Sequence, residues 1–234
     1  MAKISADKMR VYFAGFDFGT ATTSASVELA VAALDPTTIA DSAERAIAGI
    51  RADAVEWAGL YDDSTLSPDV AGSLVIGSNT NNVISVHIGT SISGVAFAGT
   101  VVMLAAKAGG GVKDLVYQEA MLQPDGTLEK GFTQIIRTAF TGSGSSAFLE
   151  TGGSSVNGGR WYLQVFSYTG GGSATITLQH GSSTAAGSLV TAGTVIISTR
   201  NSFISALTST LRQFTRIIKD ATGTAEVAVI LVRS

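Results

Sequence analysis

Few residues of this chain have the type and spacing needed for catalysis or metal binding. The two histidines, His87 and His180, lie in different halves of the chain, and there is no cysteine to complete the usual zinc set. Serine is abundant, yet no Gly-x-Ser-x-Gly nucleophile elbow is present. The acid pair Asp62-Asp63 lacks the spacing of a calcium loop. We therefore predict no catalytic residue, no metal and no cofactor.

The glycine-rich runs are candidates for phosphate binding, because glycine lets backbone N–H groups approach an anion. They are Gly109–Gly111, Gly142–Ser146, Gly152–Gly159 and Gly170–Gly172. None opens a helix after a strand, and none ends in the Lys-Ser/Thr of a phosphate loop. We interpret them as the tips of β-hairpins.

Alternating apolar and polar residues predict strands along most of the chain, and their spacing predicts antiparallel sheets. The Pro-Asp-Gly turn at 124–126 suggests a division into residues 1–131 and 132–234. A short helix is predicted around Ser67–Val75. Strands are predicted at 11–16, 25–31, 54–61, 83–88, 94–105, 112–122, 134–140, 147–151, 160–168, 174–179, 187–199, 212–219 and 225–232.

A long link, Leu34–Ile50, separates two of these strands and carries almost no residue able to do chemistry. Loops of this length are uncommon in compact domains unless they have a function or are disordered. Within it, Asp41-Ser42-Ala43-Glu44 followed by Gly49 resembles a short capped helix. Its apolar side chains must be covered either by their own domain or by a neighbouring molecule.

Charge divides the chain unevenly. Residues 1–131 carry 8 Lys and Arg against 15 Asp and Glu, whereas residues 132–234 carry 7 against 3. The acids concentrate between Asp35 and Asp69, which favours either a solvated acidic face or a specialised acidic surface. The absence of cysteine agrees with a reducing compartment, no run is long enough to cross a bilayer, and no signal peptide is expected.

Several short phrases resemble the major tail proteins of long-tailed (siphovirus-type) bacteriophages. They are Val11–Asp17, Leu34-Asp35-Pro36-Thr37-Thr38, Asp41-Ser42-Ala43, Trp57–Asp62, Gly159–Tyr162, Thr175–Gln179 and Gly223–Val229. The resemblance implies a mainly β fold. An N-terminal tail-tube-like β-sandwich or barrel, residues 1–131, would have a short helix and a long inter-strand loop. A C-terminal antiparallel β-sandwich, residues 132–234, would decorate the outside.

The resemblance also implies a function. The chain would be a non-enzymatic virion protein, made in the host cytoplasm and located in the tail. It would assemble into stacked, hexameric rings around a conduit for DNA ejection. Its partners would be copies of itself, other tail proteins and the passing phage DNA, without sequence-specific binding and without a membrane. The predicted inter-subunit contacts are Leu34, Asp35, Pro36, Thr37, Thr38, Ile39, Asp41, Glu44, Arg45, Ile47 and Ile50.

Two alternatives stay open. The aromatic residues of Trp161–Tyr168 could be exposed and stack on sugar rings, which would make the chain a carbohydrate-binding or adhesive β-module. If these aromatics are buried instead, they form the core of a sandwich. A capsid decoration protein would share nearly all of these sequence properties.

Overall fold

Antiparallel strands make up nearly all of the fold. The computed structural model describes residues 9–19, 22–34, 47–60, 82–109, 117–208, 210–220 and 223–234. Within these ranges the chain contains one 3₁₀ turn, Ala186–Ser188. The strands are β1 (Met9–Phe13), β2 (Phe16–Asp17), β3 (Thr22–Glu28), β4 (Val31–Leu34), β5 (Ile47–Arg51), β6 (Ala54–Leu60), β7 (Asn82–Ile88), β8 (Val95–Gly109), β9 (Tyr117–Pro124), β10 (Glu129–Thr141), β11 (Gly144–Ser145), β12 (Leu149–Glu150), β13 (Gly159–Thr169), β14 (Ala174–Gly181), β15 (Leu189–Ile197), β16 (Asn201–Leu207), β17 (Phe214–Asp220) and β18 (Thr224–Arg233). The predicted mainly β fold is confirmed.

The strands form one large sheet and two smaller ones. The large sheet has eleven strands in the order β16-β13-β18-β10-β8-β7-β1-β2, and a branch β9-β6-β3 also starts at β8. The branch exists because β8 is long: its first half pairs with β7 and β10, and its second half pairs with β9. A five-stranded sheet has the order β11-β17-β14-β15, with β12 also on β17, and β4 and β5 pair only with each other.

Two hydrophobic cores lie at opposite ends of the large sheet. One core packs β10, β13 and β18 against the five-stranded sheet and contains Trp161, Ile176 and Leu178. The other is enclosed by β1, β2 and β6 to β9 and contains Phe13 and Trp57. Because side chains alternate across a strand, the central strands contribute to a core on one face and to a junction on the other.

The junction between these two ends is both apolar and polar. Val83 of β7 packs there with Tyr162 and Ile230. Buried Gln164 of β13 donates through Nε2 to the Val83 carbonyl at 2.8 Å and to Ser85 Oγ at 3.2 Å. Its Oε1 accepts a hydrogen bond from the Gly15 N–H at 2.8 Å. Gln164 therefore joins β7 to β13 and to the turn between β1 and β2.

Strand β10 runs through the predicted boundary at Gly131. It pairs with β8 over Glu129–Phe132 and with β18 over Phe132–Thr141. A Cβ added to Gly131 would lie 2.5 Å from the Leu231 carbonyl oxygen, so only glycine fits where β10 passes between its neighbours. The division of the chain into two domains at this point stays a prediction.

Some sequence expectations need correction. Leu34 and residues 47–50, which were expected in a long loop, are strand residues of β4 and β5. Strand β16 was not predicted at all, and the predicted helix at Ser67–Val75 lies outside the described residues. In β13 a bulge between Val165 and Ser167 places Tyr168 on the face of Trp161, although simple alternation puts it opposite.

Candidate assembly surface

One part of the large sheet ends in a strand whose outer edge is unpaired among the described residues. Strand β3 pairs with β6 alone, β6 pairs with β9, and β9 pairs with the second half of β8. None of the seven residues of β3 is fully buried. Residues 102–109 of β8 likewise have no described partner on the side away from β9. Among the described residues, these four strands form a small sheet whose two outer edges are unpaired.

The outward face of this four-stranded sheet is acidic and partly apolar. Glu56 and Glu119 lie on it, and Glu119 contacts Lys107 at 4.0 Å. Leu60 and Met121 are also exposed, at 41% and 43%. A groove of about 520 Å³ runs along the face and is lined by Ser24, Ala25, Ser26, Glu56, Trp57, Ala58, Ala105, Lys107, Glu119, Ala120 and Met121.

The hairpin of β4 and β5, here called the arm, continues β3 and β6 beyond the sheet. The backbone of Val31 pairs with Arg51, and Leu34 pairs with Ile47. At the transition the Ala52 N–H donates to the Ala30 carbonyl at 2.9 Å. Val31 is 50% exposed. The predicted long link is thus a two-stranded ribbon at its base.

Asp53 fixes the root of the arm. Its carboxylate is buried and accepts hydrogen bonds from the Ala30 N–H at 3.2 Å and the Leu128 N–H at 2.9 Å. Arg51 approaches the same carboxylate at 2.7 Å. The carbonyl of Asp53 also accepts a bond from Gln123 at 3.2 Å. One side chain therefore joins both strands of the hairpin to the turn between β9 and β10.

The predicted contact residues fall into two groups. Leu34, Ile47 and Ile50 lie on the paired backbone of the arm. Asp35, Pro36, Thr37, Thr38, Ile39, Asp41, Glu44 and Arg45 lie outside the described residues, as do Asp62 and Asp63. Sequence analysis missed Asp53, which it counted among the surface acids. The only local signal is an aspartate that immediately precedes an alternating strand.

A second ionic cluster joins the β1–β2 hairpin to the centre of the large sheet. Arg137 of β10 donates to Asp17 at 2.6 Å and to Glu226 at 2.9 Å, and its guanidinium lies 5.1 Å from the ring centroid of Phe166. Burial lowers the pKa of Arg137, but the bonds to Glu226 and Asp17 outweigh this effect and raise it overall. The charged groups of this cluster form hydrogen bonds with one another, so we interpret the cluster as structural.

Both histidines are held within strands. Nδ1 of His87 lies 3.0 Å from Thr133 Oγ1 in a fully buried site, where burial lowers the histidine pKa to about 3. Nδ1 of His180 accepts the Arg212 N–H at 3.0 Å. Within the described ranges no three His, Cys, Asp or Glu residues are grouped to hold a metal ion. No helix in the same ranges is long and apolar enough to span a membrane.

The aromatic strand and the glycine runs have structural roles. Trp161, Tyr162 and Phe166 are buried, so β13 offers no aromatic platform for sugar stacking, and these aromatics lie in the core as the other interpretation of this strand expected. Gly142 and Gly172 have positive φ next to strand ends, as expected of hairpin turns.

No protein-family model matches this chain, and no curated protein matches it. Solved structures do. A chain from the tail of an empty gene transfer agent particle is 15% identical, with 54% of this chain and 97% of that chain covered and a TM-score of 0.44. A chain of the anti-feeding prophage tube-terminating cap is 14% identical, covering 55% and 92%, with a TM-score of 0.39.

The Dit hub protein of phage SPP1 covers 95% of this chain and 98% of its own, at 10% identity and a TM-score of 0.36. These three proteins are described as tail, cap and hub proteins. All three TM-scores are below 0.5.

Proposed function

We propose that this chain is a structural subunit of a phage tail tube. The observation that carries the proposal is the β3 edge: a strand without a fully buried residue, unpaired on one side within the described part of the chain, next to a projecting hairpin. Exposed edges are a liability that proteins remove by pairing or closure. In a ring, β3 of one copy pairs with the free edge of β8 of the next, and the strands close into a continuous barrel.

The acidic face then lines the lumen. Glu56 and Glu119 on the outward face repel DNA phosphates, whereas a basic lining would bind them and retard passage. The five-stranded sheet lies at the far end of the molecule from β3, and it decorates the exterior. The arm crosses to a neighbouring subunit or to the next ring.

The absence of cysteine allows a clean cross-linking test of the ring. In the double variant Ser26→Cys with Ala105→Cys, the two sites are three inter-strand spacings apart within one chain, about 14 Å. A short bismaleimide cannot span that distance, so it joins only neighbouring copies. We expect a covalent ladder that ends at the number of subunits in one ring.

The matched control uses the opposite sheet. Ser145→Cys with Thr194→Cys places the same spacing across β11-β17-β14-β15, and we expect no ladder from it. Filaments in electron micrographs without a ladder would disprove the β3-to-β8 pairing. A chain that remains monomeric at high concentration would disprove the tube function itself.

The arm is tested by a replacement that preserves its base. Leu34 and Ile47 are paired directly, so residues 35–46 can be replaced by Asn-Gly, which closes a two-residue hairpin. We expect an unchanged thermal unfolding transition and a loss of filaments, both measured on the same preparation. Normal filaments would show that residues 35–46 are not needed for assembly.

A further inference from the structure

The outer face of the five-stranded sheet carries a row of polar side chains in register. Gln179 of β14 is the direct cross-strand partner of Thr191 on β15 and of Arg216 on β17. On the same face Thr175 pairs with Asp220. The row lies in a shallow groove of about 460 Å³, lined by Ser143, Gly144, Ser145, Thr177, Gln179, Thr191, Arg216, Ile218, Lys219 and Asp220.

Arg216 is held in a fixed orientation at the centre of this groove. Its Nε and Nη2 donate to Gln179 Oε1 at 3.1 and 2.9 Å, and its guanidinium lies 5.1 Å from the ring centroid of Phe148. A guanidinium that is bonded and stacked has little side-chain entropy left to lose when it binds a ligand. Within the described part of the chain, its Nη1 group has no hydrogen-bond partner.

Other polar groups in the groove are also available. The hydroxyls of Thr177 and Thr191 and the carboxylate of Asp220 make no side-chain hydrogen bond with any described residue. The groove therefore presents one guanidinium held in a fixed orientation, together with hydroxyl and carboxylate groups that are available to a ligand.

This chemistry fits a neutral ligand with many hydroxyl groups. The carboxylate of Asp220 in the same groove disfavours an anionic ligand, and a lining dominated by Thr, Ser and Gln disfavours an apolar one. We propose that the groove centred on Gln179 and Arg216 binds a neutral saccharide. The site is distinct from the aromatic strand β13, and it requires only that this face is exposed, not that the chain forms a tube.

Saturation-transfer-difference NMR on the full chain tests the proposal, because it reports weak binding to monomers and filaments alike. The probes are maltohexaose, cellohexaose and chitohexaose. We expect signal transfer to at least one of them. Arg216→Ala should weaken that binding about tenfold, since it removes a charged hydrogen-bond donor. Thr191→Val, which keeps the side-chain volume, should weaken it by a smaller factor.

Two controls separate binding from folding. Arg160→Ala removes an exposed arginine from the other sheet and should leave saccharide binding unchanged. Arg216→Lys keeps the charge but loses the two bonds to Gln179, so it should bind as weakly as Arg216→Ala while unfolding like the parent. The proposal is overturned if no probe binds, if Arg216→Ala binds like the parent, or if filaments exclude solvent from this face.

Discussion

Strands β3 and β18 belong to the same sheet but differ in how much of their burial the chain completes by itself. β18 lies between β13 and β10, and seven of its ten residues are buried, six of them in a run from Val227 to Val232. Among the described residues, β3 has one partner strand, and none of its own residues is buried. Burial of apolar surface is the main favourable term in folding, so the β18 region folds without help. The β3 region has surface left for a partner.

We therefore expect that the stability of a single chain and its assembly depend on different regions. Variants in the β18 region should change the free energy of unfolding of a single chain. Variants along β3 and the arm should change assembly while leaving that free energy nearly constant. The predictions below test the separation from its strongest expected effect to its weakest.

Arg137→Ala should destabilise the monomer by about 3–5 kcal/mol, because it leaves the buried Asp17 carboxylate without its cation. Urea unfolding measures the change. Arg160→Ala is the control: its pair with Glu129 is exposed, so its loss should cost about 0.5 kcal/mol or less. Equal losses of unfolding free energy in the two variants would contradict the interpretation that the central strands are stabilised within a single chain.

Truncating one apolar residue in each region gives a direct comparison. Leu178→Ala opens a cavity in the C-terminal core and should cost about 3 kcal/mol of unfolding free energy. Val27→Ala on β3, where the side chain is half-buried, should cost the monomer about 1 kcal/mol or less. The same Val27→Ala variant should raise the protein concentration needed for filaments. A larger loss of monomer stability from Val27→Ala would place β3 within a completed core.

The buried His87 predicts a pH effect on stability. Burial lowers its folded pKa to about 3, whereas an unfolded histidine titrates near 6.5, so between these values the unfolded state binds the extra proton. Stability is therefore present above pH 6.5 and falls as the pH decreases, by up to about 1.4 kcal/mol per pH unit. His87→Gln should lose this part of the slope. Parallel pH profiles for the parent and the variant would refute the assignment.

Arg51→Gln tests the root of the arm and should have the smallest effect on the monomer. The side chain is 39% exposed, so losing its contact with Asp53 should cost about 0.5–1 kcal/mol. Asp53 keeps its two backbone donors in this variant. If assembly requires that the arm project from the sheet in a fixed direction, the filament yield, measured by sedimentation, should fall by a larger fraction than the free energy of unfolding.

Local patterns predicted what depends on nearest neighbours in the sequence. Alternation located β6 and β14 nearly to the residue, because the buried face of each strand is set by the period of two. It could not locate β16, whose alternation is weak: Leu207 is its one buried residue, and Ile204 is exposed.

Other features depend on residues far apart in the chain. The bulge in β13 moves Tyr168 to the opposite face, and no local signal marks it. The role of Asp53 depends on Leu128, and that of Arg216 on Gln179 and Phe148. For the candidate site, sequence analysis identified the segment that projects but missed the residue that anchors it, because anchoring is a long-range contact.

The amide of Gln164 has a consequence for strand alignment. It satisfies the Gly15 N–H, the Val83 carbonyl and the Ser85 hydroxyl at once. If β13 slipped by one residue, its apolar faces would be exchanged. If it slipped by two, an aromatic ring would replace the amide, the Gly15 N–H and the Ser85 hydroxyl would lose this partner, and the Val83 carbonyl would keep only the bond from the Ala14 N–H. Hydrophobic contacts alone would allow several alignments of strands that pack face to face. A single side chain thus excludes the misregistered forms that apolar contact would permit.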